Sequence, residues 1–312
     1  MKKNKLIIGV ISIVLSLSLF LTGCPAANSN LSLNLKPGSS YTMNILVNQT
    51  MDQEIEGQKY STVMNYSFAY ILEGKDDDKD GNRQIDVTIS DMKMEMKMQE
   101  LGLDISFDTA NPTDDEIGNM LGVVVDAKFT LTVDKDGTVI AVDGAEEILN
   151  NLIEQAGGDE AKNQMLAGMQ EVISEDSLKE TFGSSTWINT DEPIEIGYTW
   201  EETEVSSQDM PMEINTKFTL TDIKDKLAYI TLESDIILSE ETVGEEEDLF
   251  GMSFAVSGNQ TGKIIVDTET GLVMTGEMSS DITGEISMSF DGTEMKMPMF
   301  IKTTINIETV KN

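Results

Sequence analysis

Histidine is absent from this chain, cysteine occurs once, proline six times, and the aromatic residues make up only 6% of it. Without imidazole there is no Ser-His-Asp triad, no Cys-His pair and no histidine-bearing zinc site. With one thiol, no intrachain disulfide can close and no thiolate cluster can hold a metal. Positive charge is scarce too: 21 Lys and Arg stand against 56 Asp and Glu, a formal net charge of −35. A surface of that sign repels phosphate backbones, so nucleic acid is not expected as a partner. Carboxylates alone could serve a glycosidase, but no spacing singles out a pair. The inventory points away from an enzyme.

What the chain does have begins at its N-terminus. Lys2, Lys3 and Lys5 precede an apolar run from Leu6 to Leu21, broken only by Gly9, Ser12, Ser16 and Ser18. That is the pattern of a secretory signal, and it is short of the roughly 20 residues that a spanning helix needs. The run ends in Leu21-Thr22-Gly23-Cys24, which resembles the lipobox of bacterial lipoproteins. The resemblance implies a diacylglycerol on the Cys24 thiol, cleavage between Gly23 and Cys24, and further acylation by palmitate-type chains. The mature protein would then be anchored in the cell membrane or outer membrane, its body in the periplasm or on the cell surface. One acyl chain binds a membrane marginally; two or three anchor stably. The alternative is an uncleaved membrane anchor with an incidental cysteine. Residues 1–23 carry three lysines and no acid, so their removal takes the net charge from −35 to −38. Residues 24–40 follow, rich in Ala, Asn, Ser, Pro and Gly, and read as a lipid-anchored flexible tether.

From Tyr41 the period becomes two. Tyr41, Met43, Ile45, Val47 and Met51 alternate with polar residues, and Tyr60 through Leu72 continue on even positions. Each is a strand with one buried face, and together they predict a long antiparallel hairpin. The next strand begins with Ile85, Val87 and Ile89 and continues with Met92, Met94, Met96 and Met98 on the opposite parity. Keeping both sets on one face requires an extra residue near Ser90-Asp91, so a β-bulge is predicted there. Leu103, Ile105 and Phe107 form a short strand. Thr113 to Glu116 reads as a capping box opening a helix, and Phe129 to Val142 as a hairpin turning at Asp136-Gly137.

Residues 144–183 change character. Ile148, Leu149, Leu152 and Ile153, then Met165, Leu166, Met169, Val172 and Ile173, then Leu178 and Phe182, fall at helical spacing. Strands return after Gly183 in an order that echoes residues 41–143. This predicts two copies of one β-unit, 41–143 and 184–312, separated by a helical segment. The second copy ends in two very long runs, Leu272 to Phe290 and Met295 to Ile307, with Gly276 and Gly284 on the inward parity. Strands of that length exceed the usual five or six residues and would have to curve, and in-face glycines allow it. The expected fold is mainly β (α+β): two related, curved, long-stranded antiparallel sheets, half-barrel-like, with a central helical segment packed against them.

Two groups of side chains stand out as candidate sites. Asp76, Asp78 and Asp80 before Gly81 match the opening of a calcium loop, but position twelve is Val87, with Asp86 one place early. A solvated acidic hairpin is the competing reading. The methionine runs Met92, Met94, Met96, Met98 and Met295, Met297, Met299 could be core, an adaptable wall for a hydrophobic ligand, or soft ligands for copper. Same-face neighbours on a strand lie nearly 7 Å apart, too far to share an ion. With its lipobox, tether, two-copy β-pattern and helical middle, the chain resembles a family of bacterial envelope lipoproteins whose domain has no assigned function. In architecture alone it is similar to the half-barrel lipoproteins that carry acyl chains in an apolar concavity. The expectation is a non-enzymatic, lipid-anchored envelope protein with no cofactor beyond its acyl chains, unless the acidic loop takes calcium. It would bind a hydrophobic small molecule or an envelope protein. The alternative is a structural or surface-interaction lipoprotein with a solid core.

Overall fold

The computed structural model describes residue 31 and residues 33–55, 57–111, 122–135, 137–156, 173–184, 195–205, 212–238, 252–290 and 293–312. In these, the alternating runs become β1 (Ser40–Ile55), β2 (Gln58–Gly74), β3 (Arg83–Met98), β4 (Leu103–Asp108), β5 (Lys128–Val133) and β6 (Val139–Asp143). After the helices come β7 (Thr199–Val205), β8 (Met212–Lys224), β9 (Leu227–Leu238), β10 (Met252–Asp267), β11 (Val273–Phe290) and β12 (Thr293–Lys311). All twelve strands belong to one sheet, ordered β6-β5-β3-β2-β1-β12-β11-β10-β9-β8-β7, with β4 also beside β3. The sheet does not close, because its path ends on β6 and β7.

The two sheets expected from the sequence are therefore one. β12 lies between the halves, pairing with β1 from Tyr41↔Lys311 to Gln53↔Met299 and with β11 from Thr275↔Glu308 to Phe290↔Thr293. Without it, β1 and β11 would each present a long unpaired edge. Its odd positions and those of β1 share one buried face, so the join continues the core without a seam in the packing. Within each half the strands run as a meander: β1-β2-β3-β5-β6 and β7-β8-β9-β10-β11 follow the same order along the sheet.

Ser90 is the predicted bulge. Ala69 pairs with Asp91 and Tyr70 with Ile89, leaving Ser90 extra, its hydroxyl donating to the Ala69 carbonyl at 3.0 Å. The bulge is also where β3 changes its outer partner, from β5 along residues 83–88 to β4 along residues 93–98. A second bulge corrects the sequence reading. Val266 pairs with Val273 and Ile265 with Thr275, so Met274 is extra and the inward run of β11 begins on Val273.

The described residues before β1, 31 and 33–39, belong to the body and not to a tether. Leu31, Leu33 and Leu35 are buried, alternating with Asn34 and Lys36 across the strand ends. The Asn34 N–H donates to the Thr270 carbonyl at 2.8 Å, and Arg83 donates to the Asn34 side-chain oxygen at 2.6 Å. The backbone of this stretch runs so close to β2 that a Cβ on Gly74 would lie 2.4 Å from the Lys36 carbonyl.

Helix α1 (Ala145–Ala156) opens with Glu146 and Glu147, favourable at the positive end of the helix dipole, and buries Ile148 and Leu152; Ile153 is exposed. Helix α2 (Glu175–Ser184) is capped by Ser174, whose hydroxyl accepts the Ser177 N–H at 3.1 Å. Phe182 of α2 meets Tyr70 and Phe129 edge-on, with centroids 5.3 and 5.4 Å away. Among the described residues the helices dock on the β2, β5 and β6 end. Residues 112–121 with the predicted capping box, and 157–172 with Met165, Leu166, Met169 and Val172, lie outside the described residues.

Candidate functional site

One face of the sheet is apolar and buried from β6 to β8. Register pairing sets its side chains in rows across the strands. One row carries Met51, Ile301, Ile282, Gly258, Ile236 and Ile214. Four residues further toward the N-terminal end of β1, another carries Val47, Ile305, Met278, Gly262, Leu232 and Phe218. Large side chains of one strand cover glycines of the next. A Cβ on Gly258 would meet Ile282 Cγ1 at 2.7 Å, one on Gly262 would meet Met278 Cγ at 2.6 Å, and one on Gly284 would lie 2.4 Å from the Ala255 carbonyl. The inner face is too crowded for side chains there.

Between these two apolar rows runs a polar one. Gln49 on β1 pairs with Thr303 on β12, Thr303 with Ser280 on β11, and Ser280 with Gln260 on β10. The row continues from Gln260 to Ser234 on β9, Thr216 on β8 and Glu202 on β7. Seven neighbouring strands each place a polar residue at the same level. On the other side of β1 the row stops at Met64. Gln49 donates to the Thr303 hydroxyl at 3.2 Å, Thr216 and Ser234 share a hydrogen bond of 2.8 Å, and the Trp200 indole donates to Glu202 at 2.9 Å. Gln260 reaches only the Met278 sulfur, at 3.5 Å. Ser280, 3% exposed, has a hydroxyl with no hydrogen-bond partner among the described residues. The sequence holds a trace of this row, because Gln49, Thr303, Ser280, Ser234 and Thr216 each interrupt the apolar alternation of their strand. Only the registers show that the interruptions align.

Met92, Met94, Met96 and Met98 of one run and Met297 and Met299 of the other face inward, though not as one wall. Met297 and Met299 of β12 and Met92 of β3 belong to the main core. Met96 packs in a satellite cluster with Met64 and Tyr66. Met98 is buried, Met94 half-buried, and Met295 pairs with Met288 across β11 and β12. β1 and β2 separate the two runs, three strand spacings or roughly 14 Å along the sheet. Burial raises the Tyr66 phenol to about 12, and its hydroxyl donates to the Met64 sulfur at 3.1 Å.

The acidic residues are not gathered. Asp78 closes the β2–β3 turn: one carboxylate oxygen accepts the N–H groups of Asp80 and Asn82 at 2.9 and 2.8 Å, the other the Asn82 amide at 2.9 Å. Those bonds, the Asn82 backbone N–H foremost, hold its pKa below the usual value. Asp86 lies on the outer face, paired with Lys75 at 2.8 Å and accepting from Thr130 at 2.9 Å. Burial pushes the Asp86 pKa up, but these partners outweigh it and the net shift is downward. Among the described residues no three acidic, cysteine or histidine side chains stand close enough to hold a metal. Gly23 and Cys24 lie outside the described residues.

Comparison with known proteins adds a family but no activity. No curated protein matches the chain. Among solved structures, DynF from the dynemicin biosynthesis pathway of Micromonospora chersina is 8% identical at a TM-score of 0.22, over 93% of this chain and 89% of its own. Two Pseudomonas aeruginosa proteins are similar at the same level. OccK7 (OpdD) is 7% identical at 0.24, over 88% of this chain and 100% of its own, and OpdQ is 8% identical at 0.22, over 87% and 99%. Scores this low establish no common fold. The family model described as a family of unknown function (DUF6263) matches residues 80–273, well over half of the sequence, and the chain belongs to that family.

Proposed function

We propose that this protein is an exported, lipid-anchored lipoprotein of a bacterial envelope, non-enzymatic, whose sheet forms a half-barrel-like trough holding a hydrophobic molecule. The anchor rests on Leu21 to Cys24 and the apolar run before it. It holds the body at a cell membrane or outer membrane, and the mature charge of −38 keeps that body off anionic headgroups. The observation that carries the binding reading is the inner face itself. It is apolar, contains methionines and is crowded at its glycines, and it continues across β1, β12, β11, β10, β9 and β8, beyond the main contacts of α1 and α2. Methionine adapts to ligands of varied shape, and the wall is strongest where β12 places Met297 and Met299.

A second reading has its own support: Ile282, Ile301 and Met51 are no more than 1% exposed, as in a solid core. On that reading the protein is a structural or surface-interaction lipoprotein whose partner is another envelope protein. Extraction of the purified protein separates the two. A trough releases stoichiometric lipid detectable by mass spectrometry beyond the acyl chains on Cys24; a solid core releases none. Loss of palmitate labelling and of membrane association in Cys24→Ser tests the anchor, and retained labelling would refute it.

A further inference from the structure

We propose that the polar row across the inner face is the binding track for the neutral polar linkage of an ester-linked lipid, with Ser280 and Gln260 as its free contacts. The proposal rests on the trough reading above. The row is unlike any other level of the face: polar on seven neighbouring strands, with apolar rows to either side. Most of its members satisfy one another. Ser280 does not, and a buried hydroxyl left unpaired is costly enough that native structures rarely keep one without a partner. Gln260 sits beside it in register, flanked on its own strand by Gly258 and Gly262, over which Ile282 and Met278 of β11 reach to either side of its side chain. Its one described contact is a weak one to sulfur.

The chemistry of the row selects the ligand. Hydroxyls and an amide donate and accept, so ester carbonyls or hydroxyls suit them. The row carries no lysine or arginine, and it ends on the Glu202 carboxylate. A phosphate or free carboxylate would find no counter-charge among the residues of the row and would meet a carboxylate instead. The geometry adds a further restriction. Ser280 lies 7 residues from the start of β11 and 10 from its end, so apolar lanes of roughly 23 and 33 Å run to either side at about 3.3 Å per residue. The fitting molecule has a neutral polar junction between apolar arms, as a diacylglycerol does.

The test uses the full lipidated chain in phosphatidylcholine vesicles with two photoactivatable probes, a dioleoylglycerol analogue and a hydrocarbon of similar length without esters. Labelled peptides are mapped by mass spectrometry. The expected result is labelling of β10 and β11 by the ester probe, reduced about fivefold in Ser280→Ala and in Gln260→Met, the ratio one average hydrogen bond gives. Hydrocarbon labelling should be unchanged in both variants, and thermal stability of Ser280→Ala equal or higher, because it removes an unpaired hydroxyl. Equal ester labelling in wild type and both variants overturns the track while leaving the trough. If neither probe labels the inner-face strands, the trough reading fails and the track with it, and the row is then a chain of buried waters.

Discussion

Replacing Gly284 by alanine should destabilise the protein, whereas the same change at Gly276, eight residues away on the same face of the same strand, should not. At Gly284 the new Cβ would lie 2.4 Å from the Ala255 carbonyl oxygen and 2.7 Å from Val256 Cγ2; at Gly276 its nearest neighbours are Ile264 Cγ2 and Ile307 side-chain atoms at 3.4 Å. A carbonyl in a paired strand cannot swing aside, so β10 and β11 must separate locally, an overpacking cost of about 1–3 kcal/mol. Alanine also restricts the unfolded chain, a gain of about 0.4–1 kcal/mol that applies at both positions. Gly284→Ala should therefore lose about 1–2 kcal/mol, and Gly276→Ala should be neutral or gain up to about 1 kcal/mol. At about 2–4 °C per kcal/mol for a chain of this size, the difference of about 1–3 kcal/mol should separate their midpoints by roughly 2–12 °C. Thermal and urea unfolding followed by circular dichroism reads both, with an unchanged urea slope confirming that the native state is what changed. Equal midpoints would refute the account of a face crowded at Gly284.

Other perturbations follow from the same contacts. Deleting Ser90 removes the residue that absorbs the parity change and turns either Ile85 to Ile89 or Met92 to Met98 outward, so the variant should lose near-ultraviolet dichroism; deleting Asp77 from the neighbouring turn should not. The Asp78 carboxylate, its pKa lowered by the turn, contributes stability that is present above its unfolded value of about 4 and lost as pH falls through the folded value. Urea midpoints of wild type and Asp78→Asn should accordingly converge between about pH 5 and pH 3. Because the Asp78 oxygens are already engaged and Asp86 is paired with Lys75, millimolar calcium should leave the thermal midpoint unchanged; a rise abolished by changing Asp76, Asp78 and Asp80 to asparagine would reinstate the calcium loop.

Local features of the fold were legible because they are written in parity. The slip between Ile89 and Met92 locates the bulge, and the Asp136-Gly137 signal locates the β5–β6 hairpin. Long-range pairing left no such mark. Tyr41 meets Lys311 across nearly the whole chain, and nothing in either strand alone says that β12 would join the halves into one sheet. The segment before β1 was illegible for another reason: Leu31, Leu33 and Leu35 show alternation too brief to separate from a tether until the strand ends they cover are in place. The polar row combines both difficulties. Thr303 and Ser280 look like ordinary interruptions of apolar strands, and the extra Met274 shifts the register by which Ser280 would have been aligned with Gln260. The acidic stretch was ambiguous because a turn stabilised by Asp78 and a calcium loop share the same Asp-Gly spelling, and the structure adds the hydrogen bonds of the turn.

The central claim is that the inner face holds a lipid, and native mass spectrometry of the lipidated protein purified from its own membranes tests it directly. The account predicts a mature mass carrying the Cys24 acyl chains and, in addition, a noncovalent adduct with the mass of a neutral diester, released at higher collision energy. A single species at the mass of the acylated protein alone, unchanged after incubation with dioleoylglycerol, would contradict it.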